Sequence, residues 1–283
     1  MTESNYFQLK RYNVQADDVV GFGGESLMKN KNVTLVCDDT FDGIMTAIYD
    51  GWVLMNKGCI VNIHPGKDYS ATFFSEFITI DTDLDKSVRV AKSIRIKISI
   101  EAYMMVYRAC MHFDNDKGNE IFGFLKLGYA VGARVTKMLT NPHVLRVTEL
   151  SRKAVNEAHL FKGFVRFDEL KGGVLYSRIQ PKCDVVPLII NHFQDRFPEE
   201  DWIIYDSKRK KAAVHKHETD TIIVEGQDVE ALTKDLQYND EYRELWKIFF
   251  DTIGIDARKN PKCQRTQLPI WFRENMTEFV KEK

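Results

Sequence analysis

Apolar residues change their spacing along this chain, and each change marks a different kind of element. Val33 to Cys37 are apolar at nearly every position, the pattern of a short buried strand, and Asp38-Asp39-Thr40 then offers helix N-capping side chains. The helix predicted from there carries Phe41, Ile44, Met45, Ile48, Trp52 and Val53 as one stripe, with Asp42, Thr46 and Asp50 opposite, solvated or facing a site. Asp83 to Ser99 repeats the helical period: Leu84, Val88, Ala91 and Ile98 are backed by Lys86, Arg89, Lys92 and Arg95. Ile100 to Met111 is apolar nearly all round, as a buried helix is. On the next helix Gly128 and Gly132 stand one turn apart, which predicts close approach of another backbone. Asn141-Pro142 supplies an N-cap and a first-turn proline for a helix expected to run to about Ala158.

Beyond Ala158 the period becomes two. Phe161, Gly163, Val165 and Phe167 alternate with Lys162, Phe164, Arg166 and Asp168, which predicts a strand with the second set outward. Lys171-Gly172-Gly173 reads as a turn, and Val174 to Ile179 as the partner strand of a hairpin. Asp184 is the expected cap of a helix bearing Leu188, Ile189, His192 and Arg196 and ended by Phe197-Pro198. Trp202 to Asp206, Lys211 to His215 and Thr221 to Val224 read as further strands. Asp240 opens a last helix with Tyr242, Leu245, Trp246, Phe249 and Ile253, and Asn260-Pro261 and Leu268-Pro269 predict irregular structure after it. The class expected is α+β, with residues 1–32 as a polar extension, 33–158 as a mainly helical lobe and 159–283 as an α+β lobe. In that second lobe an antiparallel sheet is flanked by helices.

Composition sharpens this only in places. A chain of 283 residues that is 44% hydrophobic and 29% charged can bury a large core and is too apolar for disorder. With a net charge of -1, attraction to a polyanion has to come from local clusters of Lys and Arg. Neither a signal-peptide core nor a bilayer-spanning run is present, and Cys37, Cys59, Cys110, Cys183 and Cys263 are scattered without a CxxC pair. A cytoplasmic protein with reduced thiols, no membrane and no cofactor is expected. Gly21-Phe22-Gly23-Gly24 is read as a turn, because no strand-to-helix switch accompanies it. His215 and His217 would share a strand face but lack a third ligand, so no metal is expected.

Two groups of residues carry candidate chemistry. Glu157, His159, His192 and Asp206 are the candidate acid-base set, since carboxylates and imidazoles are the usual proton-transfer groups. Glu157 and His159 would meet only in extended backbone, because positions i and i+2 of a helix diverge. Otherwise they are a salt-bridged carboxylate and a hydrogen-bonded imidazole at a helix end. Lys162, Phe164 and Arg166 would present an aromatic between two cations, fit to stack on a base and hold phosphates. The competing reading packs Phe164 under another element with the cations at its rim. Arg178, from the hairpin partner, Arg196 and Arg209 complete the candidate nucleic-acid set, Arg209 within the positive turn Lys208-Arg209-Lys210-Lys211.

These residues carry a resemblance. Glu157-Ala158-His159, Lys162-Gly163-Phe164, Arg166-Phe167, His192-Phe193 and Arg196-Phe197-Pro198 resemble an uncharacterised bacterial family associated with DNA metabolism and DNA repair. So do Trp202-Ile203-Ile204-Tyr205-Asp206 with Arg209, Asn260-Pro261 with Gln264, and Phe41-Asp42-Gly43, and the similarity runs from about Val33 to Phe279. Members are typically encoded beside a radical-SAM protein, and related domains are fused to uracil-DNA-glycosylase-like domains; no catalytic residue is implied. The resemblance therefore implies DNA and a radical-SAM protein as partners. The leading expectation is a DNA-binding or substrate-presenting accessory protein in DNA modification or repair. The alternatives are a hydrolytic or base-modifying enzyme using Glu157, His159, His192 and Asp206, and an adaptor that binds only a partner protein.

Overall fold

The computed structural model describes residues 31–66, 75–170, 172–226, 245–246, 248–249, 252 and 260–279. Its class is α+β. β1 (Asn32–Cys37) lies between β2 (Ile60–Pro65) and β3 (Glu76–Thr79), parallel to both, with Val33 opposite Val61 on one side and Glu76 on the other. A parallel sheet in this part of the chain is absent from the helical expectation. α1 (Phe41–Asn56) follows β1 where expected, and the Thr40 hydroxyl accepts the Gly43 N–H at 3.0 Å. A Cβ at Gly43 would stand 2.4 Å from the Asp38 carbonyl oxygen, so only glycine lets strand and helix turn so tightly.

The polar stripe of α1 faces α2 (Leu84–Lys97) instead of solvent or a site. Thr46 is fully enclosed; its hydroxyl donates to the Asp42 carbonyl at 2.7 Å and accepts the Asp83 N–H at 3.1 Å. Asp42 takes the Ser87 hydroxyl at 2.5 Å, and Asp50 takes Lys86 at 2.8 and 2.9 Å. Part of the basic face of α2 is thus bound to α1. α3 (Ile100–Cys110) and α4 (Lys117–Val131) complete the helical layer. Gly132 does not lie within α4: it ends the helix at φ 69°, and Gly128 gives way to the Ile98 side chain, which a Cβ would approach to 2.8 Å.

α5 (Pro142–Phe164) corrects the strand expected from Phe161 to Phe167. Phe161 is four residues past Glu157 and three past Ala158, both buried, so the apolar positions read as alternation also continue a helical stripe. A helix already formed propagates cheaply, and no proline or turn signal interrupts it before Val165. The hairpin shrinks to β4 (Asp168–Glu169) against the start of β5 (Leu175–Ile179). α6 (Val186–Arg196), β6 (Trp202–Asp206), β7 (Lys211–His215) and β8 (Ile222–Glu225) then complete a sheet of order β4-β5-β6-β7-β8. It is antiparallel except between β5 and β6, which α6 joins as a crossover.

Asp184 does not cap α6: Val185 precedes the helix without a side-chain bond, while Asp184 pairs with Lys211 at 2.6 Å. Asn260-Pro261 opens α7 (Pro261–Gln267) where irregular structure was expected, and a short 3-10 helix, Ile270–Asn275, follows Pro269. Residues 1–30, with their glycine cluster, and Asp240, Tyr242 and Ile253 lie outside the described residues. Among the described residues the larger of two hydrophobic clusters runs through Leu35, Ile63, Phe124, Leu150, Phe161, Ile189, Trp202 and Phe272, with α5 packed against α3, α4 and α6, and a smaller one joins Leu170, Tyr176, Tyr205 and Ala212. Among the described residues no helix is long and apolar enough to cross a membrane.

Candidate functional site

β5 and β6 run parallel, so their C-terminal ends emerge side by side, the position from which crossover units usually offer ligand contacts. The segment Pro181–Asp184 leaves β5 there and is gripped from two sides. Glu157, from α5, accepts the Lys182 N–H at 2.7 Å on one oxygen and the Cys183 N–H at 3.0 Å on the other. Arg209 donates to the Pro181 carbonyl at 3.2 Å and also to the Lys182 carbonyl. Asp206, fully buried, receives Arg209 at 3.0 Å and the backbone N–H groups of Lys208 and Arg209 at 2.9 and 3.2 Å. Beside them Lys211 bridges Asp184 at 2.6 Å and Glu225 at 2.8 Å.

Burial pushes the Asp206 carboxyl above the ordinary range, against the opposing pull of the Arg209 guanidinium. The Cys183 thiol is driven up by burial and by its bond to Glu157, so it stays protonated and poorly nucleophilic. Burial alone would lower Lys211, but the Asp184 and Glu225 carboxylates reverse it and the ammonium is held charged. Chemically the cluster is a clasp. Apart from Asp184 Oδ1, which is buried without a hydrogen-bond partner, its acceptors are engaged, and its effect is to fix the course of residues 181–184.

Of the candidate acid-base set, Glu157 and Asp206 meet at this clasp. His159 is exposed on α5, two positions beyond Glu157 and so on a diverging face. His192 is half-buried on α6; burial lowers its pKa, and the charges of Lys162 and Arg196 lower it further. The Asp195 carboxylate opposes them from α6 itself.

Lys162, Phe164 and Arg166 do not share a strand face, because Lys162 and Phe164 lie on the last turn of α5, two positions apart and so diverging, and Arg166 follows the helix end at Val165. Phe164 packs edge-on to Phe272 at 5.0 Å, and Arg166 donates to Glu278 at 2.9 Å and to the Gly163 carbonyl at 2.9 Å, with Trp246 5.8 Å from its guanidinium. Arg178 is exposed near the end of β5, Arg196 lies over Phe197 at 5.6 Å, and Arg209 belongs to the clasp. His215 Nδ1 lies 3.0 Å from the Thr221 hydroxyl oxygen, and among the described residues no three His, Cys, Asp or Glu side chains gather as a metal site.

Lys182 and Trp271 went unnoticed in the sequence. The clasp holds the Lys182 backbone by both its N–H and its carbonyl, and the ammonium sits over the Trp271 ring at 5.3 Å. Nothing local marks the pair, since the two residues are far apart in the chain. The cavity beneath, between Phe161, Phe164, Arg178, Gln180, Trp271 and Phe272, is only about 10 Å³. That is room for one water, so this place is a surface and not a small-molecule pocket.

Fold and site together define an α+β domain whose sheet is built around one parallel crossover and whose crossover loop is clasped between an α-helix and a strand end. Residues 115–278 match the domain family DUF4130, a domain of unknown function. That is more than half of the chain, which belongs to this family, and the match contains every residue of the clasp. No curated protein matches the chain.

Proposed function

We propose that this chain is a nucleic-acid-binding accessory protein of DNA modification or repair, presenting its substrate to a separate radical-SAM enzyme. On this reading its contact surface is the C-terminal ends of β5 and β6. One observation carries the reading: Glu157, Asp206 and Oδ2 of Asp184 are engaged within the clasp, while Lys182, Lys208 and Lys210 are exposed around it. Trp271 lies beneath Lys182 as an aromatic base for stacking. Cations beside an aromatic ring suit single-stranded or extruded nucleotides, whose phosphates and base faces they meet. The pathway and the radical-SAM partner rest on the sequence resemblance alone.

The enzyme reading has less support, because proton transfer needs an acid or base within reach of substrate, and the Glu157 and Asp206 oxygens already accept from the chain. The test is anisotropy of a labelled single strand at several salt concentrations, with and without the radical-SAM protein. Lys182→Ala or Lys208→Ala is expected to flatten the salt dependence by about 0.7 in log-log slope per cation lost. Trp271→Leu is expected to weaken binding by about 1–3 kcal/mol at unchanged slope. Absence of affinity at low salt with the partner present overturns the proposal.

A further inference from the structure

A cleft of about 340 Å³ opens at the opposite end of the sheet from the clasp, lined by Gln194, Pro198, His215, Glu218, Thr219 and Asp220. β7 runs antiparallel to β6, so His215 at the end of β7 pairs with Trp202 at the start of β6, their rings stacked at 5.1 Å. His215 is 4% exposed, and its Nε2 is enclosed without a hydrogen-bond partner. An orphaned buried nitrogen is uncommon in a folded protein and calls for a reason. Its other nitrogen, Nδ1, faces the Thr221 hydroxyl at 3.0 Å; with the proton there, donated to Thr221, Nε2 is an acceptor.

Glu218, Thr219 and Asp220 add acceptors to the lining, Gln194 an amide that can donate or accept, and Pro198 an apolar wall. Glu218 and Asp220 contribute exposed carboxylates, and the Thr219 hydroxyl spends its proton on the Lys216 carbonyl at 2.8 Å, which leaves its oxygen to accept. Glu218 is held in the left-handed region at φ 63°, within a turn closed by the Thr219 N–H on the Lys216 carbonyl at 2.9 Å. Past the rim Glu199 and Glu200 are exposed, and Asp201 receives the His217 N–H at 2.7 Å. His217 Nε2 stands 3.6 Å from a Glu218 oxygen, and Lys216 and Arg196 are exposed cations on the same two segments of the chain. A cleft of acceptors with an acidic rim fits a ligand that only donates and carries positive charge. A guanidinium does both, with five N–H groups in a plane that matches carboxylates.

We propose that this cleft receives an arginine side chain of a partner protein, with Glu218 and Asp220 pairing its guanidinium and His215 Nε2 accepting at the floor. A peptide segment is favoured over free arginine because exposed Glu199 and Glu200 directly follow the lining residue Pro198, which adds acidic groups beside the cleft that its own lining does not include. Nε2 is closed to water, so a lining side chain rotates aside as the guanidinium enters. Cleft and basic surface lie at opposite ends of the sheet, and both can be occupied at once.

The test uses the full chain and a short labelled arginine peptide, beside the same peptide with citrulline or lysine in place of arginine. Arginine is expected to bind saturably, and citrulline, which keeps the shape and loses the charge, at least about tenfold more weakly. Glu218→Gln and Asp220→Asn are surface changes that keep the melting transition, and each is expected to weaken the arginine peptide about tenfold. His215→Gln, checked for folding in the same way, is expected to narrow the gap between arginine and citrulline. No binding at millimolar peptide, equal binding of arginine and citrulline, or a folded Glu218→Gln/Asp220→Asn double variant that binds like the parent overturns the proposal. Free arginine competing as well as the peptide overturns the assignment to a partner protein. None of these outcomes depends on nucleic-acid binding.

Discussion

Glu157→Gln is the most direct perturbation of the clasp. The carboxylate accepts two backbone N–H groups, one on each oxygen, at 2.7 and 3.0 Å, and it is 9% exposed. An amide of the same shape keeps one acceptor and turns an NH2 donor toward the other N–H. The loss is one charge-assisted hydrogen bond, worth about 1.5–3 kcal/mol, and one buried N–H left without a partner costs about 1–3 kcal/mol. Part of each is recovered by relaxation of the loop, so about 3 kcal/mol of destabilisation is expected. For a domain of this size that lowers Tm by about 6–12 °C. Urea unfolding gives the free energy, and amide hydrogen exchange locates it, with the Lys182 and Cys183 amides exchanging faster while those of α3 and α4 follow only the global change. A variant within about 0.5 kcal/mol of the parent, with unchanged protection at both amides, would refute the clasp as a stabilising element.

Three other outcomes follow from the same packing. His112 is 3% exposed and its Nδ1 accepts the Asp114 N–H at 3.1 Å; burial lowers its pKa to about 4. The folded state therefore binds this proton less readily than the unfolded one, so its stabilisation is whole above about 6.5 and is lost as pH falls toward 4; a urea midpoint flat between pH 7 and 5 would contradict it. Burial pushes the Cys37 thiol up to about 12, the neighbouring Asp39 and Asp38 charges adding to it. Its contribution is present below about 9 and declines as pH rises toward 12, and in native protein at pH 8 Cys37 is expected to resist a thiol reagent that labels it in urea. Gly43→Ala forces a Cβ against the Asp38 carbonyl and is expected to cost about 1–3 kcal/mol by thermal melting, and an unshifted transition would show that the β1–α1 turn can relax.

At several helix starts and strands neighbours in the chain set the geometry and the sequence alone determined the outcome, although not at Asp184 or Asn260-Pro261. Thr40 and Asn141-Pro142 start helices because the groups they satisfy lie within one turn, and Trp202 to Asp206 and Lys211 to His215 are strands by local pattern. The end of α5 was decided otherwise. Phe161 to Phe167 fits both periods, and the choice fell to the growing helix and to Phe272, which receives Phe161 at 4.9 Å and Phe164 at 5.0 Å from the far end of the chain. β2 and β3 needed β1 between them, since parallel pairing joins segments that no turn connects. Glu157, Asp206 and Arg209 were legible as polar residues of note, but the order in which they grip Pro181–Cys183 was not. Hydrogen bonds across that distance in sequence exist only once α5, β5 and β6 are packed, and the same is true of Lys182 over Trp271 and of His215 against Trp202. Residue types were fixed by the sequence pattern; which donors and acceptors were used up, and which were left facing outward, was fixed by tertiary packing.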